Sequence, residues 1–499
     1  MTRGDPTGRE REGADRPEVR APRGEEAAWR EPLYTAAEMR LAEEAFAGPT
    51  LELMERAGTA TAKAILRDFP DARTVSVWCG VGSNGGDGLV VARSLREAGR
   101  DVEVLLLGLE HKVKGDAAEN LRRAREADVP FVDVASSADV VVDALFGTGF
   151  SGAPRRDAAG RIEAMNAVGA PVVAVDVPSG VDASSGEVEG VAVAAAKTVT
   201  FHARKVGLAV APGRFHAGSV EVVDIGLAPA ETRHARVRSE ILELVPARGP
   251  RDNKYSAGSV LVVGGSTGMT GALMLACEAA FRAGAGYVRA CFPASLDVVV
   301  EQRLVEAVKT PCASDAEGRL VAEAADAIVA AAGRADAVAI GPGLGRSAGT
   351  RELVRVLLER LELPVVLDAD GLWALAGNLP WAFRGEAPTL LTPHAGELAR
   401  LLARDSASVS AHRLAAVEEG AEETRASVLL KGADTLVASP GDGVLVCDLG
   451  NPGLATAGTG DVLTGIVAAF LAKGMPAQLA GAAGAAAGGV AARLAATRH

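Results

Sequence analysis

Short runs of β-branched and aliphatic residues alternate along this chain with stretches whose apolar positions recur at helical spacing. In the first half the runs fall at Thr74 to Cys79, Asp101 to Leu107, Asp139 to Ala144, Val172 to Val177, Thr198 to Phe201 and Val220 to Ile225, and they read as strands. Asp87 to Ala98 and Ala117 to Ala127 between them read as helices. Right-handed crossovers would then build a parallel sheet covered by helices. After Ile225 the rhythm lapses into LAPAETRHARVRSEILELVPARGPRDNK, a charged, Pro-containing stretch that reads as an interdomain connection. A second βα series begins at Ser259 to Val263 and continues through Tyr287 to Phe292, Ala337 to Ile340, Val365 to Asp368, Thr389 to Thr392, Val428 to Lys431 and Val444 to Cys447, ending in helices. The chain divides on this reading into domains at 34–232 and 233–499, and folded structure begins near Tyr34. Residues 1–33 carry many Arg, Glu, Gly and Pro and are expected to be disordered or loosely attached.

Composition agrees with an α/β class. At 499 residues the chain suits two domains with separate cores, and its 48% hydrophobic content includes few aromatics. A net charge of −12 without a long basic run argues against a nucleic-acid partner but leaves room for a small anion. Cys79, Cys277, Cys291, Cys312 and Cys447 are odd in number and scattered, as expected of reduced core residues. The start MTRGDPTGRE lacks the apolar segment of a secretory signal, and Val462 to Ala496, broken by Lys473 and Pro476, reads as buried helices. A cytoplasmic protein without a membrane segment is the expectation.

The candidate chemistry sits at strand ends. VSVWCGVGSNGGDG at 75–88 is a strand entering a Gly-rich turn and then a helix, where backbone amides and the helix N-terminus can meet an anion. By itself this turn is equally a packing feature. DALFGTGFSGA at 143–153 and VDVPSGVDASSG at 175–186 each put an Asp near the carboxyl end of an apolar strand. Ligands of doubly wound sheets bind there, so Asn84, Asp143, Asp176 and Ser179 would converge; the plainer reading makes Asp143 and Asp176 loop or cap residues.

Together with LMERAG at 53–58 and KTVTF at 197–201, these motifs resemble the NAD(P)H-hydrate epimerase domain over about residues 34–230. The resemblance implies a Rossmann-like α/β/α sandwich. It implies that Ser83, Asn84, Gly85, Gly86 and Asp87, with Gly147, Thr148, Gly149, Phe150, Ser151, Gly152 and Ala153, embrace the hydrated nucleotide. It further implies that Asn84, Asp143 and Ser179 help bind a potassium ion, and that Asp176 touches the reacting nicotinamide ring. Ser83 stands where family members often carry Asn. The damaged ring bears a hydroxyl beside the ring nitrogen, whose lone pair can expel it; readdition from the other face inverts the centre, with Asp176 shuttling the proton.

In the second half, NPGLATAGTGDVLTGIVAAF at 451–470 sets Gly458, Gly460 and Asp461 just before an apolar helix. The Gly-Thr-Gly amides suit a polyphosphate, and Asp461 can take a proton from a substrate hydroxyl or serve as an ordinary N-cap. With DNKYSAGSVLVVGGS at 252–266, GPGLG at 341–345, DADGL at 368–372, TPHAGE at 392–397 and KGADT at 431–435, the set resembles the ADP- or ATP-dependent NAD(P)H-hydrate dehydratase, of the ribokinase-like superfamily. By that resemblance Ala257, Gly343, His394 and Asp461 contact the hydrated substrate. Lys431, Gly432, Ala433, Asp434, Thr435 and Gly460 hold the adenine nucleotide. Ala395 follows His394 where family members often have Pro, and a lone His without this context is more often structural.

The expectation is therefore a bifunctional repair enzyme for hydrated NADH and NADPH. It would epimerise the R and S hydrates and use ADP, with Mg2+, to dehydrate the S hydrate to NAD(P)H, giving AMP and phosphate. A homo-oligomer is expected. A small-molecule kinase of the hydroxymethyl-pyrimidine type fused to a nucleotide-binding domain, or a non-catalytic NAD-binding sensor, are the alternatives.

Overall fold

Two sheets, one wholly parallel and one mixed, organise the protein, whose computed structural model describes residues 28–251 and 253–497. The first has six parallel strands in the order Asp101–Leu106, Thr74–Cys79, Val140–Ala144, Val172–Val175, Lys197–Phe201 and Ser219–Val223. Its central strands are buried on both faces, which is why they read as near-continuous apolar runs. Val75, Val77, Val140 and Val142 pack under the helices Thr50–Asp68, Ser83–Glu97 and Gly115–Glu126. Trp78 and Val141 turn the other way onto Ile162 and Met165 of Arg156–Ala167. The expected α/β/α sandwich is present.

The second sheet has twelve strands, in the order Val308–Cys312, Tyr287–Pro293, Ser259–Val263, Ala337–Ile340, Val365–Leu367, Thr389–Leu391, Ser427–Leu430, Thr435–Ala438, Leu445–Cys447, His234–Val237, Arg30–Tyr34 and Arg204–Lys205. Pairing is parallel from Val308–Cys312 to Ser427–Leu430 and mixed beyond. Small residues set the helix layer close. A Cβ on Gly465 would lie 2.1 Å from the Ala276 carbonyl oxygen, so the helix Thr459–Ala472 rests nearly backbone to backbone on Thr270–Arg282. The helix Ala477–Ala496 is long and apolar enough to cross a membrane, yet Leu479, Ala480, Ala482, Ala483 and Ala486 lie in the buried core.

Three expectations change. Order begins before Tyr34: Trp29 is 6% exposed and Arg30–Tyr34 is a strand, while residues 1–27 of the expected tail lie outside the described residues. The stretch taken as a connection contains the strand His234–Val237 and the 3-10 helix Ser239–Leu244. Arg204–Lys205, Val308–Cys312 and Thr435–Ala438 are further strands that the pattern did not mark. The physical reason at the domain junction is charge pairing across strands. Arg204 Nε and Arg236 Nη1 each donate to Glu31 at 2.8 Å, and Arg236 Nε donates to Asp448 at 3.0 Å. Burial works against the Glu31 carboxylate, but the two arginines outweigh it and hold it below the usual range. Segments that look solvated in isolation therefore join the halves: Arg30–Tyr34 pairs with His234–Val237 on one side and with Arg204–Lys205 on the other.

Trp29 packs in the same buried cluster as Ile241, Phe292 and Phe470. Trp29→Ala should cost the C-terminal half about 3 to 5 kcal/mol. The expected readout is faster amide exchange in His234–Val237 and Leu445–Cys447, with unchanged protection in the six-stranded sheet.

Candidate functional site

In the N-terminal half the loops after neighbouring strands touch at their carboxyl ends. A Cβ on Gly80 would lie 2.1 Å from the Leu145 carbonyl oxygen, and one on Gly85 would lie 1.9 Å from that of Gly80, so the Gly-rich run is demanded by this approach. The helix Ser83–Glu97 starts from Gly82 with no side-chain cap, leaving its first amides open to an anion. Asn84 Nδ2 donates to the Phe146 carbonyl at 2.9 Å, while its buried Oδ1 has no protein partner. Asp143 is fully buried and accepts from the Ser179 amide at 2.7 Å and from Ser179 Oγ at 2.6 Å. Burial pushes its carboxyl up to about 6 against those hydrogen bonds. Phe146 closes the circuit, its amide donating to Ser179 Oγ at 2.9 Å.

Asp176 follows the strand Val172–Val175 with a left-handed φ of 68°, which is strained for a residue with a Cβ. Its Oδ2 accepts from the Thr148 amide at 3.1 Å and from the Thr148 hydroxyl; its Oδ1 meets Lys205 Nζ at 2.6 Å and accepts from Thr200 Oγ1 at 3.2 Å. Burial alone would raise this carboxyl, but Lys205 and the Thr148 donors prevail and hold it below its ordinary value. Nearby Asp87 is driven the other way, well above its usual range, by burial and by the charges of Asp176 and Glu43. The expected Asn84, Asp87, Asp143, Thr148, Asp176 and Ser179 thus come together. Lys205, Thr200 and Glu43 were missed. Lys205 gave no signal because its strand holds only two residues and depends on Leu33 and Tyr34 for pairing.

The second centre lies where the strands Val365–Leu367 and Ser427–Leu430 end. Lys431 Nζ donates to Asp368 Oδ1 at 2.9 Å and approaches Glu397 at 3.8 Å, and Thr464 Oγ1 donates to Asp368 Oδ2 at 2.7 Å. A Cβ on Gly460 would lie in ordinary contact with Lys431 Nζ, at 3.6 Å, which places the ammonium beside the start of the helix Thr459–Ala472. Burial would lower Lys431, but Asp368, Glu397 and Asp461 hold it above its ordinary value. Asp461 is raised to about 6, by burial first and by the charge of Asp368 second. It is not the N-cap: Gly458, with φ 92°, holds that place.

Other expectations divide. His394 caps the helix Ala395–Leu401, its Nδ1 accepting from the Gly396 amide at 3.0 Å, and its exposed ring keeps Nε2 3.5 Å from Glu397. Gly343 lies against Met269 and Ala272, 3.1 Å from the Ala272 Cβ for an added Cβ. Ala257 is separated from this group. It precedes the strand Ser259–Val263, and neighbouring Gly258 meets Ala472, at the far end of the helix that begins beside Asp461. The intervening rise of about 1.5 Å per residue puts it roughly 16 Å away. Asp434 turns its carboxylate away from Lys431 and onto Arg413 at 3.2 Å. Asp368 and Glu397 were legible within DADGL and TPHAGE but were not singled out.

Both halves match known families. Residues 260–499 match the NAD(P)H-hydrate dehydratase family and residues 50–207 the YjeF-related protein N-terminus family. A bifunctional NAD(P)H-hydrate repair enzyme of Moorella thermoacetica is 40% identical over 91% of this chain and 90% of its own length. One from Escherichia coli is 36% identical over 90% and 85%. The chain belongs to the bifunctional NAD(P)H-hydrate repair enzyme family. Among solved structures, an ADP/ATP-dependent NAD(P)H-hydrate dehydratase from Bacillus subtilis, co-crystallised with ATP and Mg2+, is 28% identical over 52% of this chain and 90% of its own, with a TM-score of 0.45. Family membership across both halves favours the repair enzyme over the fused small-molecule kinase.

For the dehydratase half of this repair enzyme, the raised Asp461 carboxyl gives a pH signature. A carboxyl acts as a base only when ionised, so with its pKa at about 6 activity should be full above that value and fall as pH drops through it. A dehydration rate independent of pH between 5 and 7, on the order of one unit either side, would exclude Asp461 as the titrating base.

Proposed function

We propose that the two centres divide the repair between them: the Asp176 centre epimerises the hydrates of NADH and NADPH, and the Asp461 centre dehydrates the S hydrate at the expense of ADP. The pairing of Asp176 with Lys205 at 2.6 Å supports the first role most strongly, because it keeps a carboxylate ionised within a largely buried site. As the ring nitrogen's lone pair expels the hydroxyl, the Lys205 ammonium, 2.6 Å from Asp176, gives the departing oxygen its proton so that water leaves, and the ionised Asp176 takes a proton from the returning water and passes it back to Lys205. Readdition from the opposite face inverts the centre. The Gly-rich amides of Ser83 to Asp87 and the loop Gly147 to Ala153 hold the phosphates and the ring in register.

The residues around Asp143 fit a potassium ion. The orphaned Asn84 Oδ1, the Ser179 hydroxyl, the Phe146 carbonyl and one buried carboxylate make an all-oxygen set carrying a single negative charge. When bound, the ion supplies positive charge that neutralises Asp143 and steadies the loop leading to Thr148.

In the second centre Asp461 takes the proton of the substrate hydroxyl as that oxygen attacks the terminal phosphate of ADP. The new O–P bond forms, the bond to the AMP oxygen breaks, and AMP leaves. Phosphate is a far better leaving group than hydroxide. The ring nitrogen expels it, and loss of a proton from the adjacent carbon restores the dihydronicotinamide. Lys431 and the amides of Gly458 to Gly460 stabilise the transferring charge, and Mg2+ arrives with the phosphates. The five free, buried cysteines suit the reducing cytoplasm.

Incubating the protein with mixed hydrate epimers should regenerate dihydronicotinamide absorbance only when ADP is present, and should then consume both epimers. In Asp176→Asn the S hydrate should still disappear at the normal rate while the R hydrate persists, its conversion cut by about 10² to 10⁴. Normal consumption of the R hydrate by that variant would move the proton transfer to another carboxyl such as Asp87, whose charge is coupled to that of Asp176. Exchanging potassium for a larger organic cation should slow epimerisation and spare dehydration.

A further inference from the structure

The segment that supplies Lys205 to the epimerase centre continues through the 3-10 turn Val206–Leu208 to the loop Ala211–Arg214, which lies against Lys431 to Thr435 of the other half. The Ala211 amide donates to Asp434 Oδ2 at 2.8 Å, and Arg214 Nη1 donates to the Ala433 carbonyl at 2.7 Å. From the dehydratase side Arg413 Nε reaches the same carboxylate at 3.2 Å, and its Nη2 donates to the Asp434 carbonyl at 3.0 Å. The Asp434 side chain is 2% exposed, so this carboxylate is committed to fixing the back of the loop. Gly432 lies directly over Arg413: a Cβ there would be 2.4 Å from Nη2. His412, next to Arg413, meets Glu187 of the epimerase half at 3.0 Å.

The loop therefore has two faces. Lys431 turns toward Asp368 and Asp461, whereas Ala433 and Asp434 turn toward the neighbouring domain. We propose that the epimerase half positions the nucleotide loop of the dehydratase half, with Arg214 and the Ala211 amide as its brace, so that affinity for ADP depends on the neighbouring domain. This rests on the reading of Lys431 to Thr435 as the nucleotide loop. The physical basis is preorganisation: a loop anchored from behind has lost conformational freedom before ADP arrives, and releasing an anchor reduces the fraction of molecules competent to bind. Arg214 is a positioning residue, acting through the Ala433 carbonyl.

The test uses the full chain, with ADP alone in calorimetric titration and with S hydrate in steady-state kinetics. Arg214→Ala should raise the Kd and KM for ADP about fivefold to tenfold, leave kcat at saturating ADP unchanged, and leave epimerisation unchanged. Arg214→Lys, which can still reach the carbonyl, should recover most of the affinity. Lys431→Gln, which retains a hydrogen-bond donor for Asp368, should weaken ADP binding by more. If Lys431→Gln loses affinity while Arg214→Ala keeps it, or if Arg214→Ala lowers kcat with Kd unchanged, the brace is refuted. If both variants bind ADP normally, the nucleotide-loop reading itself falls.

Discussion

A carboxylate carried out of water at the end of a parallel strand must find donors or a counter-charge, and both centres of this protein are built around that requirement. Asp143, Asp176 and Asp368 each sit at or just beyond the last residues of a strand and are nearly or fully buried. They solve the problem differently. Asp143 uses the Ser179 amide and hydroxyl and stays raised, Asp176 uses Lys205 and stays low, and Asp368 takes Lys431 and Thr464. The opposite shifts of Asp143 and Asp176 are what the proposed division into a cation ligand and a proton carrier requires, while Asp368 anchors Lys431 by a hydrogen bond.

Those carboxylates can act only because the backbone around them comes unusually close. Glycine at 80 and 85 allows the loop after one strand to touch the loop after another, and glycine at 465 lets the helix carrying Asp461 settle on its neighbour. A Cβ at any of these places would sit 1.9 to 2.1 Å from a backbone carbonyl oxygen, so the elements would have to move apart. The Ala- and Gly-rich composition thus sets the spacing of both centres as well as filling the core.

The halves are chemically separate but mechanically interlocked. Arg30–Tyr34 and Arg204–Lys205 extend the dehydratase sheet, and the second of these strands bears the lysine of the epimerase centre. The ionic cluster of Glu31, Arg204, Arg236 and Asp448 joins residues distant in sequence at low exposure. Removing one member of such a low-exposure cluster would leave the charge of the others uncompensated.

The βα rhythm, the central strands within a residue or two, and the motifs at their carboxyl ends were legible in the chain because each depends on local apolar periodicity and on glycine at close turns. That periodicity placed Asn84, Asp143, Asp176, Ser179 and Lys431 at or beyond the ends of strands and Asp461 at the start of a helix, and each half's packing then drew its own set together. Lys205, the strands Arg30–Tyr34 and His234–Val237 and the outward turn of Asp434 were not legible. All of them depend on partners far away in sequence: Asp176 for Lys205, crossed arginines for Glu31, and Arg413 with Ala211 for Asp434. Local pattern determines which residues can form strands, turns and acids at strand ends; only tertiary packing decides which charges meet, because the energy of burying a charge depends on the partner it finds.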